Sequence, residues 1–175
     1  MFGSKNIISI IAIVLCLTSC HKDDSYSPFR ASAIHNGVLI SYIDAEGNDL
    51  LASGNVTNTI SILGESSKKI IPFEIKSIED RGESRNYLSF NAELPTTSGM
   101  VFNADKSEGH GESIVKLNIC NKSLKLTCKF IYICSNPGNL GSNIIQLDCV
   151  ECNGTSRSEK MNSQLVLELA DYIDK

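Results

Sequence analysis

The sequence predicts a mainly β domain: an antiparallel β-sandwich of immunoglobulin-like or Greek-key type with about 7–9 strands, a small β-barrel being the alternative. From Asn36 onward, apolar residues recur mostly at period two in short runs. Clusters of Gly, Asn, Asp and Ser break the runs, and no helical pattern alternates with them. Composition agrees, since 42% hydrophobic and 21% charged residues with 12 Gly and 4 Pro are ordinary globular usage, which argues against disorder, a collagen repeat or a coiled coil.

The first strand is read from Val38, Ile40 and Tyr42 alternating with Leu39, Ser41 and Ile43, and it stops at the turn formers 44–49. Val56, Asn58, Ile60 and Ile62 on one face, with Thr57, Thr59 and Ser61 on the other, predict a second strand. Ile71, Phe73 and Ile75 predict a third, placed at a sheet edge because Pro72 cannot donate to a ladder. Leu88, Phe90, Ala92 and Leu94 predict a fourth, and residues 100–104 a short fifth. A polar loop is expected over 105–111, followed by a strand through Val115, Leu117 and Ile119. The long run Leu124, Leu126, Cys128, Phe130, Tyr132 and Cys134, made apolar on both sides by Ile131 and Ile133, predicts a central strand. Residues 143–150 follow as another strand. Near the C-terminus Leu165, Leu167 and Leu169 fit a strand, while Leu165, Leu169, Tyr172 and Ile173 fit a helix capped by Ser163; the β neighbours favour the strand.

Ahead of this domain, Lys5 precedes an apolar run from Ile7 to Leu17 that closes on Thr18, Ser19 and Cys20, the pattern of a cleavable leader. The run reaches about 16 Å as a helix, roughly half of what a membrane-spanning helix needs. Leu17, Thr18, Ser19 and Cys20 resemble the lipobox of bacterial lipoproteins, which implies cleavage before Cys20 and acylation of its thiol and new amine. Lys22, Asp23 and Asp24 are similar to the export signal of surface lipoproteins of the Bacteroidota, which implies the outer face of the outer membrane. Some small lipoproteins of that group open a tethered β-sandwich with Asp-x-x-Gly-Asn-Asp-Leu-Leu, and Asp44 through Leu51 resembles that opening. The resemblance implies a small β domain at the cell surface and carries no site residues. The expected organisation is therefore a signal peptide over 1–19, a lipidated tether over 20–35 and a single β domain over 36–175.

The formal charge of −4 becomes one unit more negative when Lys5 leaves with the leader, which disfavours nucleic acid as a partner. With Cys16 in the leader and Cys20 acylated, Cys120, Cys128, Cys134, Cys149 and Cys152 remain as disulfide partners or structural thiols. Cys128 and Cys134 lie about 20 Å apart on one straight strand and cannot bond to each other. Cys149 and Cys152 make a C-x-x-C unit, but the turn-like residues 153–156 follow it where a redox motif needs a helix to stabilise its thiolate. A zinc site would want paired short spacings, and the other cysteines stand singly. Asp44, Glu46, Asn48 and Asp49 misplace the glycine of an EF-hand loop and read as a turn. Asp105, Glu108, His110 and Glu112 bring a histidine among carboxylates in a segment that Gly109 and Gly111 would make mobile, so it reads as a contact loop.

No catalytic residue, metal site or cofactor is assigned, because hydrolase elbows, phosphate loops and metalloprotease helices lack their sequence parts. The expected function is a non-catalytic binding, adhesion or assembly module on the outer membrane, held by its lipid anchor and contacting a protein or glycan. A cell-envelope inhibitor or immunity-type protein is the alternative, and a metal- or thiol-dependent enzyme ranks below it.

Overall fold

The computed structural model describes residues 26–80, 82–136, 140–156, 158–161 and 164–170. The expected leader, Cys20, Lys22, Asp23 and Asp24 lie outside the described residues, as do Ser163, Tyr172 and Ile173. In chain order the strands are β1 (Ala33–His35), β2 (Gly37–Ile43), β3 (Ser61–Gly64), β4 (Phe73–Asp80), β5 (Glu83–Asn91), β6 (Val101–Phe102), β7 (Glu108–Ile119), β8 (Lys122–Cys134), β9 (Asn143–Cys152), β10 (Thr155–Ser156), β11 (Ser158–Met161) and β12 (Gln164–Ala170). They form two sheets. The larger has the order β1-β9-β8-β7-β3, with β10 also paired to β9 and β6 to β7; the smaller has the order β11-β12-β2-β5-β4. The arrangement is a sandwich, not a closed barrel, and its described strands outnumber the expected set by β1, β10 and β11, which have only two to four residues each.

Hydrophobic alternation explains most of the pairing. Inward residues of β7 and β8 are buried while their neighbours face water, and Val115, Leu117, Leu126 and Phe130 meet Val38, Ile40, Leu88 and Leu167 of the smaller sheet in one core. β8 lies in the middle of the larger sheet and β4 at the edge of the smaller one, as the sequence predicts. β7 and β8 are joined through Cys120 and Asn121, both at positive φ (48° and 61°), the backbone that a two-residue hairpin matched to strand twist requires. Asn153 and Gly154 repeat that geometry between β9 and β10, so the C-x-x-C unit ends in a hairpin with no helix after it.

Two expectations are corrected. The strand expected over residues 56–62 begins only at Ser61, after a one-turn helix α1 (Gly54–Thr57). Thr57 Oγ1 donates to Gly54 O (3.2 Å) and Thr59 Oγ1 to Val56 O (2.7 Å), so hydroxyls that imitate the wet face of a strand serve helical carbonyls instead. The loop expected over 105–111 is cut short because β7 starts at Glu108. The sandwich is mostly antiparallel, as expected, with two parallel pairs, β1 with β9 and β12 with β2. The chain from Tyr26 on also packs against the domain. Phe29 N donates to Pro95 O (2.9 Å), and its ring stands 5.7 Å from that of Phe102 and 5.2 Å from that of Tyr132. Apolar Phe29 and Ile34 mark this stretch as more than a solvated spacer.

Candidate functional site

The acidic candidates turn out to hold backbone. Asp44 Oδ1 accepts from Glu46 N (3.0 Å) and Asn48 N (2.8 Å), and Asp44 Oδ2 from Asn48 Nδ2 (2.8 Å), which closes the turn around Gly47 at φ 84°. The Asn48 side-chain amide, then its backbone N–H, hold the Asp44 carboxyl below its ordinary range. Asp49 bonds Leu51 N (2.9 Å) and Asn86 N (2.8 Å), pinning buried Leu51 and the short 3-10 turn Leu50–Ala52 beside β5. Asp44, Asn48 and Asp49 of the Asp44 to Leu51 run thus each have a structural task. Asp105 behaves likewise: Ser107 donates to it through both Oγ (2.7 Å) and N (3.0 Å), and these bonds lower its pKa.

Glu108, His110 and Glu112 are exposed along the outer face of β7, alternating with buried Gly109, Gly111 and Ser113. They are strand residues rather than parts of a contact loop, and Asp105 sits apart in the preceding turn. The two glycines are there for close approach, not mobility. A Cβ on Gly109 would come within 2.6 Å of the Phe102 ring, and one on Gly111 would run into Met100 Sδ. Cross-strand register carries His110 into a row with Val101, Ile131, Gln146 and His35, and Glu108 into the next row with Ile133, Ile144 and Ala33. His110 and His35 are three strand spacings apart, about 14 Å, too far to share an ion. The rows leave a different feature on the surface: Ile133 (42% exposed) and Ile144 (40%) lie side by side with half-buried Ile131 next along β8, while Val101 (73%) stands apart from them across His110. Single exposed apolar residues are common, and Ile131, Ile133 and Ile144 differ in adjoining one another on the outer face of the sheet.

The five cysteines are present as thiols. Cys128, Cys134 and Cys152 are buried on inner faces, whereas Cys120 and Cys149 are half-buried. Cys128 and Cys134 share β8, as its alternation predicts. Burial pushes the Cys128 thiol up to about 12. Beside it Ser113 Oγ donates to Glu93 O, and the buried Glu93 carboxylate accepts from Ser66 N (3.1 Å) and Ser67 N (2.6 Å). This chain of polar groups fastens the turn after β3 to the core. Sequence reasoning passed over Glu93, whose place in a run of strand-like alternation gave no sign of its burial.

A cleft of about 590 Å³ opens along one side of the sandwich, lined by Ile34, His35, Asn36, Gly37, Asn91, Gln146, Leu147, Lys160 and Leu165. Its position follows from two local devices. The chain leaves the larger sheet after His35 and enters the smaller one at Gly37, and Asn36 braces this crossing by bonding Ala92 O through its side chain (2.6 Å) and Ala92 N through its carbonyl (2.8 Å). On the opposite wall β9 bulges. Lys129 pairs with Cys149 and Phe130 with Leu147, which leaves Asp148 as the extra residue. Asp148 Oδ1 lies 3.9 Å from Lys160 Nζ, and Val150 N donates to Ser158 Oγ (3.1 Å), so the bulge ties β9 to β11. The lining comes from separate stretches of chain, and no sequence motif could have announced it.

Neither a family model, nor a curated protein, nor a solved structure matches this chain.

Proposed function

We propose that the protein is an outer-membrane surface lipoprotein whose β domain works by contact with a protein or glycan partner and not by turnover. The observation that carries the contact reading is the apolar group Ile131, Ile133 and Ile144 on the outer face of the larger sheet, bordered by polar Glu108, His110 and Gln146. An apolar centre with a polar rim is the usual composition of a recognition surface. Anchoring rests on Leu17 to Cys20 closing an apolar run, and outward display on Lys22, Asp23 and Asp24 behind it. Two or three acyl chains make a stable anchor, because each buried CH₂ contributes about 0.8 kcal/mol and one chain alone is marginal.

Four measurements test the reading. Cys20→Ala abolishes metabolic labelling with palmitate; labelling that survives rejects the anchor. Protease added to intact cells degrades the wild type and spares a variant with Lys22, Asp23 and Asp24 changed to Ala; equal protection of both rejects the display signal. Crosslinked capture of partners from the native surface falls in an Ile133→Asp, Ile144→Asp variant whose melting temperature is unchanged, and undiminished capture moves the contact elsewhere. Substrate turnover that disappears with His110→Ala would replace the contact reading with an enzymatic one.

A further inference from the structure

The turn between β3 and β4 presents charge and apolar surface together on a rigid support. Its ends are fixed to the larger sheet: Gly64 N donates to Lys69 O (3.0 Å), Lys68 N to Gly64 O (3.0 Å) and Ile71 N to Ile62 O (2.9 Å). Its middle is fixed to the core, where the Glu93 carboxylate accepts from Ser66 N and Ser67 N. Lys68 sits at φ 56°, a left-handed conformation that Gly or Asn adopts at less cost. On this support Lys68, Lys69 and Ile70 all face water. Ile70, 80% exposed, is the most exposed large apolar side chain among the described residues. Acidic neighbours are already engaged, Glu65 by Lys116 (3.2 Å) and Glu74 by Lys76 (2.8 Å), and Glu93 by the turn's own backbone.

The turn also stands beside the root of the N-terminal segment. Tyr26 Oη donates to Leu94 O (3.0 Å), one residue along from Glu93. Cys20 precedes Tyr26 by six residues, which span at most about 20 Å. We infer, on the lipid-anchor reading, that this turn is a second membrane contact, in which Lys68 and Lys69 meet lipid phosphates and Ile70 enters the boundary between headgroups and acyl chains. Two lysines and one isoleucine are too few to recruit a free protein to a bilayer, but an anchor at Cys20 keeps them at high effective concentration beside it. The formal charge of −4 repels an anionic surface from the rest of the domain, so the contact also selects which side faces the membrane. The apolar group at Ile133 and Ile144 is left free for a partner, because β7 and β8 separate β3 from β9 in the sheet.

The test uses the acylated protein, with lipidation of Cys20 verified by intact mass, reconstituted in vesicles of phosphatidylcholine alone or with about one-third phosphatidylglycerol. Lysines are acetylated in a short pulse with N-hydroxysuccinimidyl acetate and read by mass spectrometry. Lys68 and Lys69 are expected to react about five- to tenfold more slowly on the anionic vesicles, a contrast that high salt removes. Lys125 and Lys160 should react alike on both. Ile70→Ser, a change at an exposed position that leaves the melting temperature unchanged, is expected to restore fast reaction of both lysines. Equal reaction of Lys68 and Lys69 on the two vesicles, slowing shared by Lys125 and Lys160, or wild-type protection in Ile70→Ser would each overturn the contact. A mass without acyl groups at Cys20 rejects the anchor and this contact with it, whereas acylated protein with both lysines open rejects the contact alone.

Discussion

At the scale of single residues, side chains that looked like chemistry in the sequence are engaged in holding backbone. Asp49 serves two strands' worth of structure with one carboxylate, through Leu51 N on one side and Asn86 N and Nδ2 on the other. Asp49→Ala leaves those donors without their acceptor in a half-buried place, and a loss of about 1–3 kcal/mol is expected in chemical denaturation. Asp44 makes as many bonds, but in a turn where they are open to solvent and water replaces them at little cost, so Asp44→Ala should melt close to the wild type. Cys128 has the opposite character. Its buried thiol is raised from the ordinary 9.0 to about 12, so at pH 8 it should resist iodoacetamide until the protein unfolds, while half-buried Cys120 and Cys149 are alkylated first. Between pH 9 and 12 the unfolded chain loses a proton that folded Cys128 keeps. This contribution to stability is therefore complete below pH 9 and shrinks as pH rises towards 12. Tyr26, raised from 10.0 to about 12 by burial and by nearby Glu93, adds in the same direction. Alkaline melts of the wild type and Cys128→Ala should converge as the pH rises; a constant gap between them would contradict the linkage.

Among the elements, β7 separates appearance from function most clearly. Gly109 and Gly111 flank His110 in a pattern that reads as a mobile loop, yet both sit where Phe102, Met100 and Pro95 press on the strand. Gly109→Ala should cost about 1–3 kcal/mol through overpacking, whereas His110→Ala on the wet face should stay within about 0.5 kcal/mol. Paired denaturation curves check this, and equal effects would mean that Phe102 moves aside freely. Replacing 105–112 with a Gly/Ser linker removes the first part of β7 as well as the turn, so loss of folding is the expected result. Strands with clean alternation, such as β7 beyond Gly111 and β8, were legible in the sequence because each has one wet and one dry face, and β5 was legible from its apolar period although Tyr87 to Phe90 are buried on both sides. The edge position of β4 was legible from Pro72, and the hairpin at 153–154 from Asn and Gly. Pairing partners were not. Period two says which residues share a face but not which strand lies beside them, so the parallel pairs of β1 with β9 and β12 with β2 had no local signature. The cleft, assembled by those same pairs, was hidden for the same reason.

For the whole molecule, the chain from Tyr26 to Ile43 is one of several stretches that pass between the two sheets, and it packs on both. Its first part lays Phe29 against Phe102 of β6 and Tyr132 of β8. Its next part extends the larger sheet at β9, and after Asn36 it becomes the central strand of the smaller sheet, paired with β12 and β5. The inner faces also share one core, so opening either sheet exposes the apolar side of the other. Phe29→Ala should therefore act on both sheets, although its ring contacts are with the larger one. Only partly buried, it should cost about 2 kcal/mol, below the roughly 3–5 of a fully enclosed ring. Hydrogen exchange provides the measurement. Amides of Leu126 and Phe130 in β8 and of Val38 and Ile40 in β2 should lose protection by the same factor, since each then opens by global unfolding. If β2 kept its protection while β8 lost it, the sheets would be separate cooperative units, and the N-terminal strap would be a local brace for the larger sheet alone.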